Sequence, residues 1–291
     1  MRFCRFNAGR IGVIVDDYVY DVTARTERFA APVRGDALIT NLATLRAELE
    51  RVDLGAPACA VGDASFLAPV ATPTKIIGAP VNYQAHIEEA VADVGITFNH
   101  AVAQIGKAGL FLKSTTSLVG PSEGVAIRFP DRRTDHELEL GLVIGTLASN
   151  VSEASALDYV AGYAIALDMT VRGTEDRSFR KSVDTYSVLG PWLVGADEIP
   201  DPDKLELTLR VNGEVRQASN TSRLIFNVRK LIAWASEWYT LYPGDIIMTG
   251  TPEGVAPIAD GDVMECEIER LGSMRVKVRA AQTASLTGAR A

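Results

Sequence analysis

Cysteine and histidine are both scarce in this chain, three of each in 291 residues. Cys4, Cys59 and Cys266 are widely spaced, make no CxxC pair and are odd in number, so they read as buried free thiols in a reducing compartment rather than a disulfide framework. No stretch approaches the roughly 18 uninterrupted apolar residues of a membrane span. The opening Met1–Phe6 segment is basic but lacks the apolar run of a signal peptide, and the expectation is a cytoplasmic protein. Positive charge is also in deficit, with 29 Lys and Arg against 37 Asp and Glu, a net charge of −8 and a pI near 5.1. Such a field repels nucleic acid and anionic membranes, and an anionic substrate would need a local cation. Neither internal repeats nor low-complexity segments are present, although residues 281–291 read as a polar tail.

What the chain does contain is short apolar runs between turn signals. Ile11 to Val15, Val19 to Val22, Ile76–Ile77, Leu110 to Leu112, Val125 to Phe129, Leu138 to Ile144, Val160 to Leu167 and Ile246 to Met248 read as strands. Helical spacing is confined to residues 38–52, Ala85 to Val94, Ala154 to Tyr159 and a longer Leu224 to Tyr242 segment. The class is therefore α+β and β-rich. Pro69 and Pro73 suggest a boundary, giving a small N-terminal α+β domain over residues 1–70 and a catalytic domain over 71–291.

The segment Asp135-His136-Glu137-Leu138-Glu139-Leu140 feeds an apolar strand. On a strand Glu137 and Glu139 share a face about 6.5–7 Å apart, opposite Leu138 and Leu140. Taken alone this is equally a solvated sheet face. Asp168, however, ends a second apolar run, where a carboxylate is costly to bury without a partner. Three carboxylates with no cysteine or histidine alternative form an oxygen-rich set suited to Mg²⁺, Mn²⁺ or, as a substitute, Ca²⁺. An octahedral ion held by three protein oxygens keeps about three positions open for water or substrate. A 2-oxo acid can chelate it there through acid and keto oxygens. His86 and Glu89 are three residues apart on a predicted helix, so the carboxylate can orient the imidazole as a base, unless both are simply surface groups.

Glu137-Leu138-Glu139 before its apolar strand, Leu167-Asp168-Met169-Thr170-Val171-Arg172, Asn82-Tyr83, Leu189-Gly190-Pro191-Trp192 and the Tyr242 to Gly254 stretch resemble the fumarylacetoacetate hydrolase family, over about residues 75–277. The resemblance implies a mixed β-sandwich roll, a homodimer, and Mg²⁺ or Mn²⁺ held by Glu137, Glu139 and Asp168. Some members bring a fourth acidic ligand where this chain has Asn82. By the same resemblance His86 and Glu89 sit on a lid as the base, and Lys181 binds the oxygen on which enolate charge develops. Tyr83, Lys113, Arg172 and Thr251 would line the substrate pocket, although the cations taken alone read equally as surface charge and Thr251 as a turn hydroxyl. Gly173 replaces an acidic residue that often follows the arginine.

The expected reaction is hydrolytic carbon–carbon cleavage of an acylpyruvate or related 2,4-dioxo acid, of the kind met in the catabolism of aromatic compounds. The alternative on the same metal site is isomerisation, tautomerisation or decarboxylation of an unsaturated 2-oxo diacid. A third reading, a binding protein that kept the fold without turnover, is disfavoured because triad and dyad are both intact.

Overall fold

A computed structural model of the protein describes residues 1–98 and 100–281. Among these, twelve strands form one mixed sheet whose centre is Ser187–Gly195, Val160–Asp168, Leu138–Ile144 and Ile246–Met248, hydrogen-bonded in that order. Arg2–Phe6, Arg10–Val15 and Tyr18–Asp21 extend it on one side, and Ile76–Gly78 and Phe111–Lys113 on the other. Arg2 pairs with Val194 and Phe3 with Leu193, so the sheet runs across the expected boundary at residue 70. A second, five-stranded sheet is built from Glu214–Asn220, Glu206–Val211, Val263–Ile268, Gly272–Ala280 and Val125–Ile127. The β-rich α+β class and the sandwich roll are thus what the chain adopts.

Both faces of the central strands are covered, which is why they read as continuous apolar runs. Leu138, Leu140, Leu142 and Ile144 pack into the core shared with Leu207, Leu209, Met264 and Val276 of the second sheet. Val143, Ala164, Ala166 and Leu189 point the other way, onto Leu38, Leu42, Leu45 and Leu49. By the two-residue period Glu139 belongs to the Val143 face, at the end of the strand where the helical cover stops.

Several helices differ from the sequence pattern, each for a local reason. The 38–52 segment breaks into Ala37–Thr40 and Leu42–Leu49, its start fixed by the Asp36 carboxylate accepting from Leu38 and Ile39 N–H. The long C-terminal helix is only Val228–Trp238, because the Asn227 side chain caps it through Lys230 N–H at 2.9 Å. Leu224 to Phe226 instead bond to the Asn82–Tyr83 segment. Ala154 to Tyr159 belongs to a 3-10 turn, Glu153–Tyr159. The expected polar tail falls, beyond residue 281, outside the described residues.

Candidate active site

Asp168 ends its strand directly beside the start of the Leu138–Ile144 strand, since Leu167 pairs with Leu138 and Asp168 N–H donates to Glu137 C=O at 2.9 Å. That register gathers Glu137, Glu139 and Asp168 so that one oxygen of each lies within 4.8 Å of the others. All three are buried. Glu137 just precedes the Leu138–Ile144 strand and Glu139 lies on it.

Like charges this close need compensation, and lysines supply it. Lys181 Nζ donates to Glu137 Oε2 at 2.5 Å, Asp168 Oδ2 at 2.8 Å and Thr170 Oγ1 at 2.7 Å, which exhausts its three donors. Lys113 Nζ donates to Asp168 and, at 2.7 Å, to Tyr186 C=O. Arg172 bridges Glu137 Oε1 at 2.9 Å and Asp135 Oδ2 at 2.8 Å. Burial works to raise the Glu137 carboxyl pKa, but Lys181 and Arg172 outweigh it and hold it well below the usual range. Burial likewise holds the Lys113 ammonium below the usual lysine range, with Asp168 pulling the other way.

Glu139 is the exception. Its one protein donor among the described residues is Gly250 N–H, at 2.7 Å. Burial, and then the charges of Asp168 and Glu137, push its carboxyl well above the usual range, Lys181 offsetting only part. Asp135 pairs with Arg133 and Arg172, Glu137 with Arg172 and Lys181, and Asp168 with Lys113 and Lys181, so of these four buried carboxylates Glu139 is the one with no cation partner among the described residues. An all-oxygen donor set with one carboxylate short of positive charge fits a hard divalent cation held by Glu137, Glu139 and Asp168.

His86 lies on the Gln84–Ala92 helix, 4% exposed, with Nδ1 2.9 Å from Glu89 Oε2. An ionised carboxylate only accepts, so Nδ1 is the donor in this pair and Nε2 is the ring nitrogen left to exchange a proton. The other Glu89 oxygen accepts from Gly254 N–H at 2.9 Å, which ties the helix to the Thr249–Gly254 loop. His86, Glu137, Glu139, Arg172, Lys181 and Thr251 all line one cleft of about 270 Å³.

The scan of family patterns matches residues 75–279 to the fumarylacetoacetate (FAA) hydrolase C-terminal pattern. The chain belongs to the fumarylacetoacetate hydrolase family. It is 51% identical over 287 residues to maleylpyruvate hydrolase of Aquipseudomonas alcaligenes, covering 96% of this chain and 99% of that one. Among solved structures it resembles maleylpyruvate hydrolase from Sphingobium sp. SYK-6 in complex with manganese(II) ion and pyruvate. There the TM-score is 0.81 and the identity 38%, over 97% of this chain and 100% of the other. A 2-hydroxyhepta-2,4-diene-1,7-dioate isomerase from Mycobacterium marinum matches with a TM-score of 0.71 and 29% identity, over 97% and 99%.

Within this family member, two of the expected pocket residues stand apart from the cleft wall. Tyr83 is 1% exposed at the start of the Gln84–Ala92 helix, with its hydroxyl unpartnered, while Lys113 donates to Asp168. The Asn82 amide donates to the Phe226 and Thr249 carbonyls at 2.8 Å each. Other residues went unnoticed in the sequence. Gln217 joins the site's two halves, its Oε1 accepting from Leu138 N–H at 3.0 Å and its Nε2 donating to Thr251 Oγ1 at 2.8 Å. Asp135 fixes Arg172, and His100, Arg177 and Arg180 line the cleft. No local pattern marks Gln217, since its partners are more than 30 residues away.

Proposed function

We propose that this protein is a divalent-metal-dependent hydrolase that cleaves a carbon–carbon bond in acylpyruvates, with maleylpyruvate-type 2,4-dioxo acids as its substrate class and aromatic catabolism as its setting. The observation carrying this reading is one cleft lined by His86 of the base dyad and by Glu137 and Glu139 of the carboxylate triad. Near full-length similarity to a maleylpyruvate hydrolase supports it. Glu137, Glu139 and Asp168 would hold Mn²⁺ or Mg²⁺, with Ca²⁺ as a possible substitute. When bound, the cation supplies Lewis acidity at the 2-oxo acid end of the substrate.

The chain's own groups do the rest. His86 Nε2 takes a proton from water, and Glu89 steadies the imidazolium that results. The hydroxyl adds to the distal carbonyl, the bond to the pyruvoyl methylene breaks, and its electron pair moves onto the pyruvoyl oxygen. Lys181 balances that developing charge, and the His86 imidazolium returns its proton to the methylene carbon, which completes pyruvate beside the released acid. Arg172 and Thr251 complete the pocket as positioning groups, Arg172 by holding Glu137, while Lys113 steadies Asp168 and Tyr83 stands at the start of the helix that carries His86.

No helix among the described residues is long and apolar enough to cross a membrane. The reading includes the cytoplasm as compartment, a homodimer as assembly, and no nucleic-acid or membrane partner, in keeping with the charge of −8.

The test is to incubate purified protein with Mn²⁺ or Mg²⁺ and a panel of acylpyruvates, following loss of diketo absorbance and release of pyruvate. Metal-dependent pyruvate release with the matching acid, abolished by EDTA, is expected. An absorbance change without a released acid would replace hydrolysis with isomerisation.

A further inference from the structure

The cleft has a second charged region, away from the carboxylate triad. Arg177 and Arg180, on the short Arg177–Arg180 helix, both line the cleft. Nearly every other guanidinium around it is paired, Arg172 with Asp135 and Glu137, Arg132 with Glu175, and Arg133 with Asp93 and Asp135. Arg177 and Arg180 have no carboxylate partner among the described residues. Arg180 donates only to backbone carbonyls, Glu175 at 2.8 Å and Val171 at 3.1 Å.

Arg177 is the sharper anomaly, because its Nη1 is buried and has no hydrogen-bond partner. A buried guanidinium N–H without an acceptor is costly and rare in a folded protein. The neighbouring acids are committed elsewhere. Glu175 takes both Arg132 Nη atoms at 2.9 and 2.8 Å, and the Asp176 side chain caps the helix at Ser178 N–H, 2.8 Å away. Gly173, beside Arg172, adds none. Burial lowers the pKa of both arginines, and the charges of Asp176, Glu137 and Asp168 still reach Arg177. Arg177 thus stands within electrostatic reach of the triad while remaining unpaired.

We infer that Arg177, shaped by Arg180, is an anion subsite that receives the carboxylate at the far end of the substrate's acyl arm, so the enzyme selects acylpyruvates that carry a second, terminal carboxylate. The inference rests on the hydrolase reading and deepens it. A planar guanidinium matches a carboxylate and would satisfy the orphaned Nη1. Arg172, the arginine expected in the substrate pocket, has its Nε and Nη2 already engaged by Asp135 and Glu137.

The test compares two substrates of equal length, a 2,4-dioxo acid with a terminal carboxylate and its terminal methyl ester, in wild type, Arg177→Gln and Arg177→Lys. In Arg177→Gln, kcat/KM for the dianion should fall about 10- to 100-fold, the scale of a hydrogen bond to a charged group. The ester should change less than about threefold, and Arg177→Lys should keep part of the preference. Equal losses on both substrates, or no loss on the dianion, would overturn the subsite. Calorimetric binding of maleate against its monomethyl ester, on Mn²⁺-loaded protein, decides separately from turnover. There the wild type should prefer maleate and Arg177→Gln should not. If the wild type cleaves neither substrate, the hydrolase reading fails while the calorimetric comparison still judges the subsite, and no preference for maleate would remove it.

Discussion

Glu139→Gln should change the sign of its effect on stability according to whether metal is present. The carboxamide oxygen can still accept from Gly250 N–H, so the variant removes charge while keeping that bond. Two unit charges 4.8 Å apart, the widest separation among the triad's ligand oxygens, repel by about 3.5 kcal/mol at an effective dielectric of about 20. Lys181 offsets part of this and protonation of Glu139 relieves more, leaving a net release of about 1–2 kcal/mol in the metal-free variant. At roughly 2–4 °C per kcal/mol, the variant should melt a few degrees above wild type in EDTA.

Mn²⁺ at a hundred times its Kd stabilises a binding-competent protein by about 2.7 kcal/mol, and the variant forfeits most of that. In saturating Mn²⁺ the order of melting temperatures should therefore invert. The pH dependence has a definite direction as well. A carboxyl whose folded pKa is raised binds more protons folded than unfolded, so its contribution to stability declines as pH rises above the unfolded value of 4.5. In EDTA the advantage of Glu139→Gln should thus grow as pH rises from about 4.5. Thermal unfolding of both proteins in EDTA and Mn²⁺ across pH measures all of this. Equal destabilisation of the variant in both conditions would refute the idea that Glu139 carries an uncompensated charge awaiting a cation.

His86→Ala should lower kcat by about 10²- to 10⁴-fold while Mn²⁺ affinity, read by calorimetry, stays near wild type. Unchanged turnover would remove the dyad from the mechanism. Gln217→Leu should cost about 3 kcal/mol, from the unfilled hydrogen bonds at Leu138 N–H, His136 and Thr251. A denaturant midpoint reports that loss, and KM should rise as Thr251 loses its tether, whereas an unaltered midpoint would deny Gln217 its bridging place.

The chain's local chemistry was legible without coordinates. Alternation around Leu138 put Glu137 and Glu139 on one face, the apolar run before Asp168 marked a buried carboxylate, and the three-residue spacing of His86 and Glu89 set up the dyad. Each depends on a period of two to four residues, which the backbone fixes wherever the segment ends up. Asn227 and Asp36 show where such patterns stop, since a single capping side chain moved helix boundaries that apolar spacing left open. Tertiary structure alone decided the rest. Pairing of Leu138 with Leu167 brought Asp168 to the glutamates, and Lys113, 55 residues away in sequence, reached Asp168. Whether a charge is paired depends on neighbours from every strand and loop around it. That is why Arg172 proved bound to two carboxylates while Arg177, five residues later, was left with a buried donor unfilled.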